Sequence, residues 1–470
     1  YRFVATVTRV RDHHAGPAIE SIAVLPFANV NADLKREFLC DGVTETLITS
    51  LAQLPGLRVT SRNSAFRYKG HAIDVQAVGR ELKVEALLMG RITEIDDVLS
   101  ISVELIETSE DRHIWGAQYV RKLGDLFDTQ ETIAREVAAK LRLDIGSRDE
   151  QPIDRRYTQN NEAYLCYLKG RYHFNKLTPD GVQKGVEFFQ QALERDPIYA
   201  LAYAGLADCH NYLAHRDEAK AALVTALELD ETLGQAHASL GFFRFLYDWD
   251  FADAEREFLR ALALGPNYAE AHHWYAIYLA NLGRNDEAEP HAQRAVQLDP
   301  LSLLMNMTPA LNFYLARRYD EAVEQLQRII EMDPNFMAAR SVLGSVWTQK
   351  GLHDEAMAEY QKVMALIKGA AAVETSVKTI MAYTLAKAGQ RSDSMKMLEA
   401  VIQSGTAPPY SVAGVYTALH DHDSAFKWLE KAYEQRDLQL VSLKVDPTLD
   451  GVRSDPRFTA LMRRVGLPPL

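Results

Sequence analysis

A small α/β domain with a βαβ-type mixed sheet, followed by an all-α superhelical array, is the fold class that three features of the sequence predict. A marker of Asp-Pro type recurs at Asp196-Pro197, Asp230-Glu231, Gly265-Pro266, Asp299-Pro300 and Asp333-Pro334, at spacings of 34, 35, 34 and 34 residues. That period belongs to stacked helical hairpins. Residues 20–145 read differently, as short apolar runs alternating with helical periodicity. Between the two patterns lies GSRDEQPIDRR at 146–156, a polar linker.

In chain order, YRFVATVTRV alternates bulky apolar and polar residues over the length of a strand and stops at the turn formers of RDHHAGPA. SIAVLPF is an apolar strand and GVTETLITSLAQL has helical periodicity. GLRVTS is a second strand and DVQAVGRELKV a second helix. EALLMGRITEI, VLSISVELIET and HIWGAQYVRKL are three β-rich segments, with Asp96-Asp97 in a hairpin turn, and DTQETIAREVAAKLRL closes the domain as an amphipathic helix.

Beyond the linker, small residues recur where paired helices must approach closely: Ala207, Ala219 and Ala226, then Gly241, Ala254 and Ala261, then Ala276, Ala288 and Ala295. The first of each set falls on helix A of a hairpin and the other two on helix B, after which Pro cannot continue the helix. One hairpin cannot bury its apolar face alone, so neighbours stack. About eight hairpins are expected over 157–436, with a cap at 437–470. The first, around Gly170, Gly185 and Ala192, carries a three-residue insertion at LTPDG, and the third is one residue long at DWDFADA.

AYAGLADCHNYLAHRDEAKAALVTALELD and AHHWYAIYLANLGRNDEAEPHAQRAVQLDP resemble tetratricopeptide repeats. SIAVLPFANV, FLCDGVTETLITSLAQLPGLRV, SRNSAF and AVGRELKVEALLMGRI resemble the TolB-like N-terminal domain that often precedes bacterial tetratricopeptide arrays. The opening residues resemble the last wing strand of OmpR-type winged-helix domains, which typically ends in Gly-Tyr-Arg-Phe; Tyr1, Arg2 and Phe3 fit that ending. On this reading residues 1–19 are the end of a wing plus a linker, and DNA contact belongs to an upstream recognition helix, not to this chain. An edge strand of the following domain is the alternative reading of the same residues.

The composition is that of folded globular protein, 47% hydrophobic and 25% charged, and the net charge of −12 gives no basic footprint for nucleic acid. Cys40, Cys166 and Cys209 form no CxxC pair and no even framework, so neither zinc nor disulfide scaffolding is expected. No run is long and apolar enough to span a membrane, the chain shows no secretory signal, and a cytoplasmic location is expected. Nucleotide-binding loops, kinase signatures and a nucleophile elbow are missing from the sequence. A non-enzymatic chain without cofactor or metal is therefore expected. Adjacent histidines such as His272-His273 diverge by about 100° on a helix and lack acidic or thiol partners, so no metal site is expected there and His272 is expected to pack between hairpins.

In tetratricopeptide arrays helix A lines the concave surface, and counting from the small residue carries the groove positions over. They are Tyr164, Tyr167, Arg171, Phe174 and Asn175 in hairpin one, Asp208, Asn211 and Tyr212 in hairpin two, and Phe242 and Phe245 in hairpin three. His273, Asn281, Tyr314 and Gln349 follow in hairpins four to six. Aromatic groups beside amides suit an extended protein or peptide segment. The groove positions that hold chaperone carboxylates in related arrays here carry Arg171, Asp208, Phe242, Ile277, Leu311 and Ser345, which disfavours a chaperone adaptor. The expected function is the sensor and scaffold part of a bacterial winged-helix transcriptional regulator. The regulatory tail of an adenylyl cyclase or serine/threonine kinase, and a periplasmic scaffold, are the alternatives.

Overall fold

The computed structural model describes residues 19–30, 36–54, 56–95, 98–141, 157–367 and 369–469. The expected wing strand, the linker at 146–156 and the Asp96-Asp97 turn lie outside the described residues.

The N-terminal unit runs β1 (Ser21–Val24), β2 (Ala28–Asn29), α1 (Glu37–Ala52), β3 (Arg58–Val59), α2 (Arg62–Ala65), α3 (Val75–Leu82), β4 (Ala86–Ile95), β5 (Val98–Glu107), β6 (Arg112–Lys122) and α4 (Leu126–Lys140). The sheet order is β3-β1-β4-β5-β6, with β2 also beside β4. β1 lies parallel to β3 and β4, whereas β4, β5 and β6 are antiparallel. Because the sheet is covered on both faces, β1 is buried throughout: Ile22 and Val24 meet the core under α1 and α4, while Ala23 meets Val78 and Leu82 of α3. That explains its continuous apolar run. β5 alternates instead, burying Leu99, Ile101, Val103 and Leu105. Gly90 is required where Phe27 crosses β4, since a Cβ there would lie 2.3 Å from the ring.

An all-helical tetratricopeptide-type array follows. Its hairpins pair Asn161–Phe174 with Pro179–Arg195, Ala200–Tyr212 with Arg216–Leu229, Gly234–Phe243 with Phe251–Leu264, and Ala269–Asn281 with Asn285–Leu298. Hairpins five to eight pair Leu303–Leu315 with Tyr319–Met332, Met337–Gln349 with His353–Leu366, Ala371–Lys387 with Arg391–Gln403, and Pro409–Ala418 with His422–Glu434. The small residues act as the spacing implied: the Phe189 ring fits between Gly170 and Gly205, each of which would place a Cβ within 2.6 Å of it. Every hairpin turns through one left-handed residue: Leu177, Ala214, Trp249, Gly283, Arg317, Gly351, Gly389 and His420. The extra residue of hairpin three is absorbed in a π turn at Arg244–Asp248, where the Asp250 amide reaches back to the Arg244 carbonyl.

After hairpin eight the chain makes two 3₁₀ turns, Leu438–Ser442 and Pro447–Val452, and a final helix Pro456–Val465. This tail folds back. Phe458, Leu461, Met462 and Val465 share one core with Phe245, Trp249 and Phe251 of hairpin three, and the Trp249 ring lies 5.5 Å from Tyr433 of hairpin eight.

Candidate functional site: the concave face of the array

The groove residues of hairpin one meet the α/β unit. α1 buries residues on more than one face and carries Glu37, Asp41 and Glu45 as an acidic stripe, a pattern that requires partners on more than one side. One side covers the sheet; the other lies against hairpin one, where Leu168 comes so close that a Cβ on Gly42 would stand 2.8 Å from it. Glu45 projects from this second side into the groove. Its Oε1 accepts from Arg171 Nε at 2.8 Å and Nη2 at 2.7 Å, and its Oε2 from Asn175 Nδ2 at 3.0 Å and Arg62 Nε at 3.2 Å. Arg171 Nη1 also donates to Asp208 at 3.0 Å. Burial works to raise the Glu45 carboxyl, but Arg171, Arg62 and the hydrogen bonds outweigh it and hold the group below its ordinary value. Asp208 moves the other way, raised by burial and by Glu45 against the pull of Arg171. Tyr164 donates to Gln130 of α4 at 2.6 Å, while Tyr167 packs between Phe189 and Tyr199. Phe174 lies 5.6 Å from the Arg171 guanidinium.

A second contact joins the same unit to hairpins four and five. Asn267 donates to the carbonyls of Ala52 and Leu57 at 3.1 and 2.7 Å, and the Ser61 amide to Leu298 at 2.8 Å. The Asp299 carboxylate accepts from Ser64 and Asn63, and the Leu301 amide donates to Ser64. Here the Asp-Pro marker of the repeat has a further role as a docking point. Glu270 lies nearby, and burial with the adjacent Asp299 pushes its carboxyl up to about 7.

The tail occupies the other half of the groove. Asn281 accepts from Ser442 at 2.6 Å, and Arg317 donates to the Val445 carbonyl at 2.6 Å and to Asp450 at 2.7 Å. Tyr314 is raised well above its ordinary value by burial and by Asp446, and Gln349 donates to Tyr383 at 3.0 Å. His273 faces Thr308 at 2.5 Å, and burial lowers it to about 4, so it is neutral at physiological pH.

Phe245 corrects the expectation for its position. It is fully buried against Phe251 and Tyr278, because the π turn that begins one residue earlier changes the phase of the helix and carries this side chain into the core. Phe242, one turn before, stays at the groove and stacks on Trp274 at 5.0 Å. Asn211 and Tyr212 are exposed, with the Tyr212 hydroxyl donating to the Leu177 carbonyl. The structure thus brings Arg171, Asn175 and Asp208 together around one foreign carboxylate and separates them from Asn281, Tyr314 and Gln349. Glu45, Asn267, Asp299 and Arg317 escaped the sequence reading. For Glu45 the available signal was an acidic stripe at helical spacing, Glu37, Asp41 and Glu45, of which Lys69 pairs with the first two and not the third.

Among the described residues no group of three or more His, Cys, Asp or Glu side chains is arranged to hold a metal, and no helix is long and apolar enough to cross a membrane. His272 meets His291 of its own hairpin at 2.9 Å and the Pro266 carbonyl of the loop before it, so its main contact lies within hairpin four and not between hairpins. Burial pushes the Cys40 and Cys209 thiols up to about 12, which keeps them protonated and poorly nucleophilic.

Residues 18–134 match the profile of the HilA/YgeH-like transcriptional regulator second domain, and residues 244–302 and 310–371 match a tetratricopeptide repeat profile. A putative adenylate cyclase of Rhizobium meliloti is 33% identical over 191 residues, 41% of this chain and 32% of the relative. The transcriptional regulator HilA of Salmonella typhimurium is 24% identical over 156 residues, 31% of this chain and 28% of the relative. The matches thus span about a third of the length of these relatives. Among solved structures, YrrB, described as a tetratricopeptide protein with an unusual peptide-binding site, aligns at 23% identity over 38% of this chain and 91% of its own, with a TM-score of 0.30. The chain carries a HilA-like regulator domain followed by tetratricopeptide repeats, a pairing that suggests a regulatory role exercised through protein–protein interaction.

Proposed function

We propose that this chain is the non-enzymatic sensor and scaffold module of a bacterial winged-helix transcriptional regulator acting in the cytoplasm, and that its array receives an effector protein or peptide. The observation that carries the reading is the match of residues 18–134 to the second domain of a transcriptional regulator. A wing-like Tyr1-Arg2-Phe3 stands upstream of that domain, separated from it by residues 4–17, and the TolB-like motifs fall within it. The groove residues still within reach of a partner are Asn211, Tyr212 and Phe242, with Asp208 beside them. DNA binding belongs to the upstream segment. The test is to express the gene product in full and probe promoter fragments by mobility shift: specific binding that is lost on removal of the residues before Tyr1 supports the reading, and no binding to any fragment rejects it.

The cyclase relative favours a second reading, in which the same module regulates a nucleotide cyclase. Cyclic AMP formation by the full gene product, absent from the 470-residue chain, would decide for it.

A further inference from the structure

Between the two contacts that seat the α/β unit, the concave face keeps a polar recess. On one side of it stand Glu45, Arg62, Arg171 and Asp208, and on the other Asn63 and Ser64 hold Asp299. Arg62, Asn63 and Ser64 are consecutive in α2, so this short helix roofs the recess while the array forms its floor. Tyr268 and Glu270 come between. The Tyr268 hydroxyl is close enough to Glu270, Asp208, Arg171 and Glu45 to feel the charge of all four, and Glu270 feels Asp299, Arg171 and Asp208. A side chain that protein surrounds and that still touches water lines a concavity. Asp208 is one: burial raises its carboxyl, yet its side chain keeps 34% of its surface exposed. Reaching the recess therefore leaves the apolar core that α1 shares with hairpin one intact.

The recess is short of positive charge. Four carboxylates, Glu45, Asp208, Glu270 and Asp299, share the two guanidiniums of Arg62 and Arg171. Glu45 takes three of the guanidinium bonds and a fourth from Asn175. Asp208 is left with Arg171 Nη1 at 3.0 Å, where a carboxylate has room for about four donors. Among the described residues no side chain donates to Glu270, whose carboxyl is met only by its own amide. We propose that this recess is a binding site for a small organic cation, an amine or a guanidinium, whose charge is shared between Glu270 and Asp208 with the Tyr268 hydroxyl as a further acceptor. A carboxylate buried beside others without a counter-cation is costly, and a bound cation removes that cost. The empty chain responds instead by keeping a proton on Glu270 up to about 7. Surplus carboxylates refuse an anion, and a neutral ligand leaves them uncompensated. The occupant is small because α2, fastened to Asp299, closes over the recess. The site belongs to this chain and does not depend on the regulatory reading above.

The test is calorimetric titration of the full 470-residue chain with n-butylamine and with n-butylguanidine, with n-butyramide and butyrate as neutral and anionic controls. Both cations keep their charge between about pH 5 and pH 9, so any pH dependence comes from the protein. Glu270→Gln and Asp208→Asn are titrated in parallel, each checked by circular dichroism. At least one cation should bind the parent, about tenfold or more tightly near pH 8 than near pH 5.5, because Glu270 must lose its proton to pair. Near pH 8 that cation should bind Glu270→Gln about tenfold more weakly and with most of the pH dependence gone, whereas Asp208→Asn should weaken binding and keep the dependence. Failure of both cations to bind the parent near pH 8, equal binding by n-butyramide or butyrate, or equal binding to parent and Glu270→Gln overturns the proposal. Should a variant not fold, the parent decides alone, since binding that is the same at both pH values overturns the proposal equally.

Discussion

The two halves of the concave surface are both filled by the chain itself, but by different chemistry. At hairpins one, four and five the α/β unit docks through Glu45, Asn267 and Asp299, polar contacts set beside an apolar core that α1 shares with Tyr164, Cys166 and Leu168 of hairpin one. Further along, the tail packs through Phe458, Leu461 and Met462 into the aromatic core of hairpin three and adds Arg317 and Asn281 as polar fastenings. An apolar contact of the second kind belongs to the stability of the array, because opening it exposes core. The docking of the α/β unit adds polar contacts to its apolar seat, each worth about 1 kcal/mol net because water competes for the same partners. The same repeat is thus closed at one end by a carboxylate set in an apolar seat and at the other mainly by aromatic packing.

The largest expected effect lies in the apolar half. Phe458→Ala should cost about 3–5 kcal/mol, because a fully buried ring is lost where the tail meets hairpin three, and calorimetry should show earlier melting with the α/β unit unaffected. In the polar half, Arg171→Ala leaves the Glu45 carboxylate with two fewer bonds in a poorly hydrated place. We expect a loss on the order of 2 kcal/mol, smaller than that for a fully buried pair because both side chains keep some solvent contact. A Phe458→Ala effect no larger than that of Arg171→Ala would erase the distinction between the halves.

Next comes a pH effect confined to the polar half. The Glu270 carboxyl is raised to about 7 in the folded chain from an ordinary 4.5, so between those values folding takes up a proton and stability falls as pH rises. Glu270→Gln should therefore match the parent near pH 5 and exceed it by about 1 kcal/mol near pH 8, as read from urea unfolding. A parent that gains stability from pH 5 to 8 relative to the variant contradicts the assignment. The smallest effect concerns the hairpin turns. Hairpins one to three place Leu177, Ala214 and Trp249 in the left-handed position, whereas hairpins four, six and seven use Gly283, Gly351 and Gly389. Ala214→Gly should relieve strain and, after the added freedom of the unfolded chain, stabilise by about 0.5 kcal/mol, visible as a small rise in melting temperature.

Local features were legible in the sequence and distant ones were not. The 34-residue period, the close approach at Gly170 and the alternation in β5 depend on neighbours within one hairpin or one strand pair, so their pattern repeats in the chain. The extra residue of hairpin three was visible as a spacing, yet its consequence for Phe245 was not, because a π turn and a longer loop give the same count while rotating the next side chains differently. β2 has only two residues and no pattern of its own; it exists because β4 is long enough to pair with it. The pairing of Glu45 with Arg171 spans 126 positions, and nothing in either helix specifies the other. Even so, buried residues spread over more than one face of α1 signal a second partner, and a groove Arg with no acidic residue three or four positions away on its own helix signals an anion from elsewhere.

The most direct measurement is a double-mutant cycle between Glu45 and Arg171. Glu45→Gln, Arg171→Gln and the double variant of the full chain are unfolded in urea alongside the parent, with circular dichroism checking that each is folded. If α1 is latched in the groove by this pair, the two substitutions are coupled by about 1.5 kcal/mol or more, and the double variant is more stable than the sum of the single losses allows. Additivity to within about 0.5 kcal/mol would contradict the account, since residues that add independently do not share a contact.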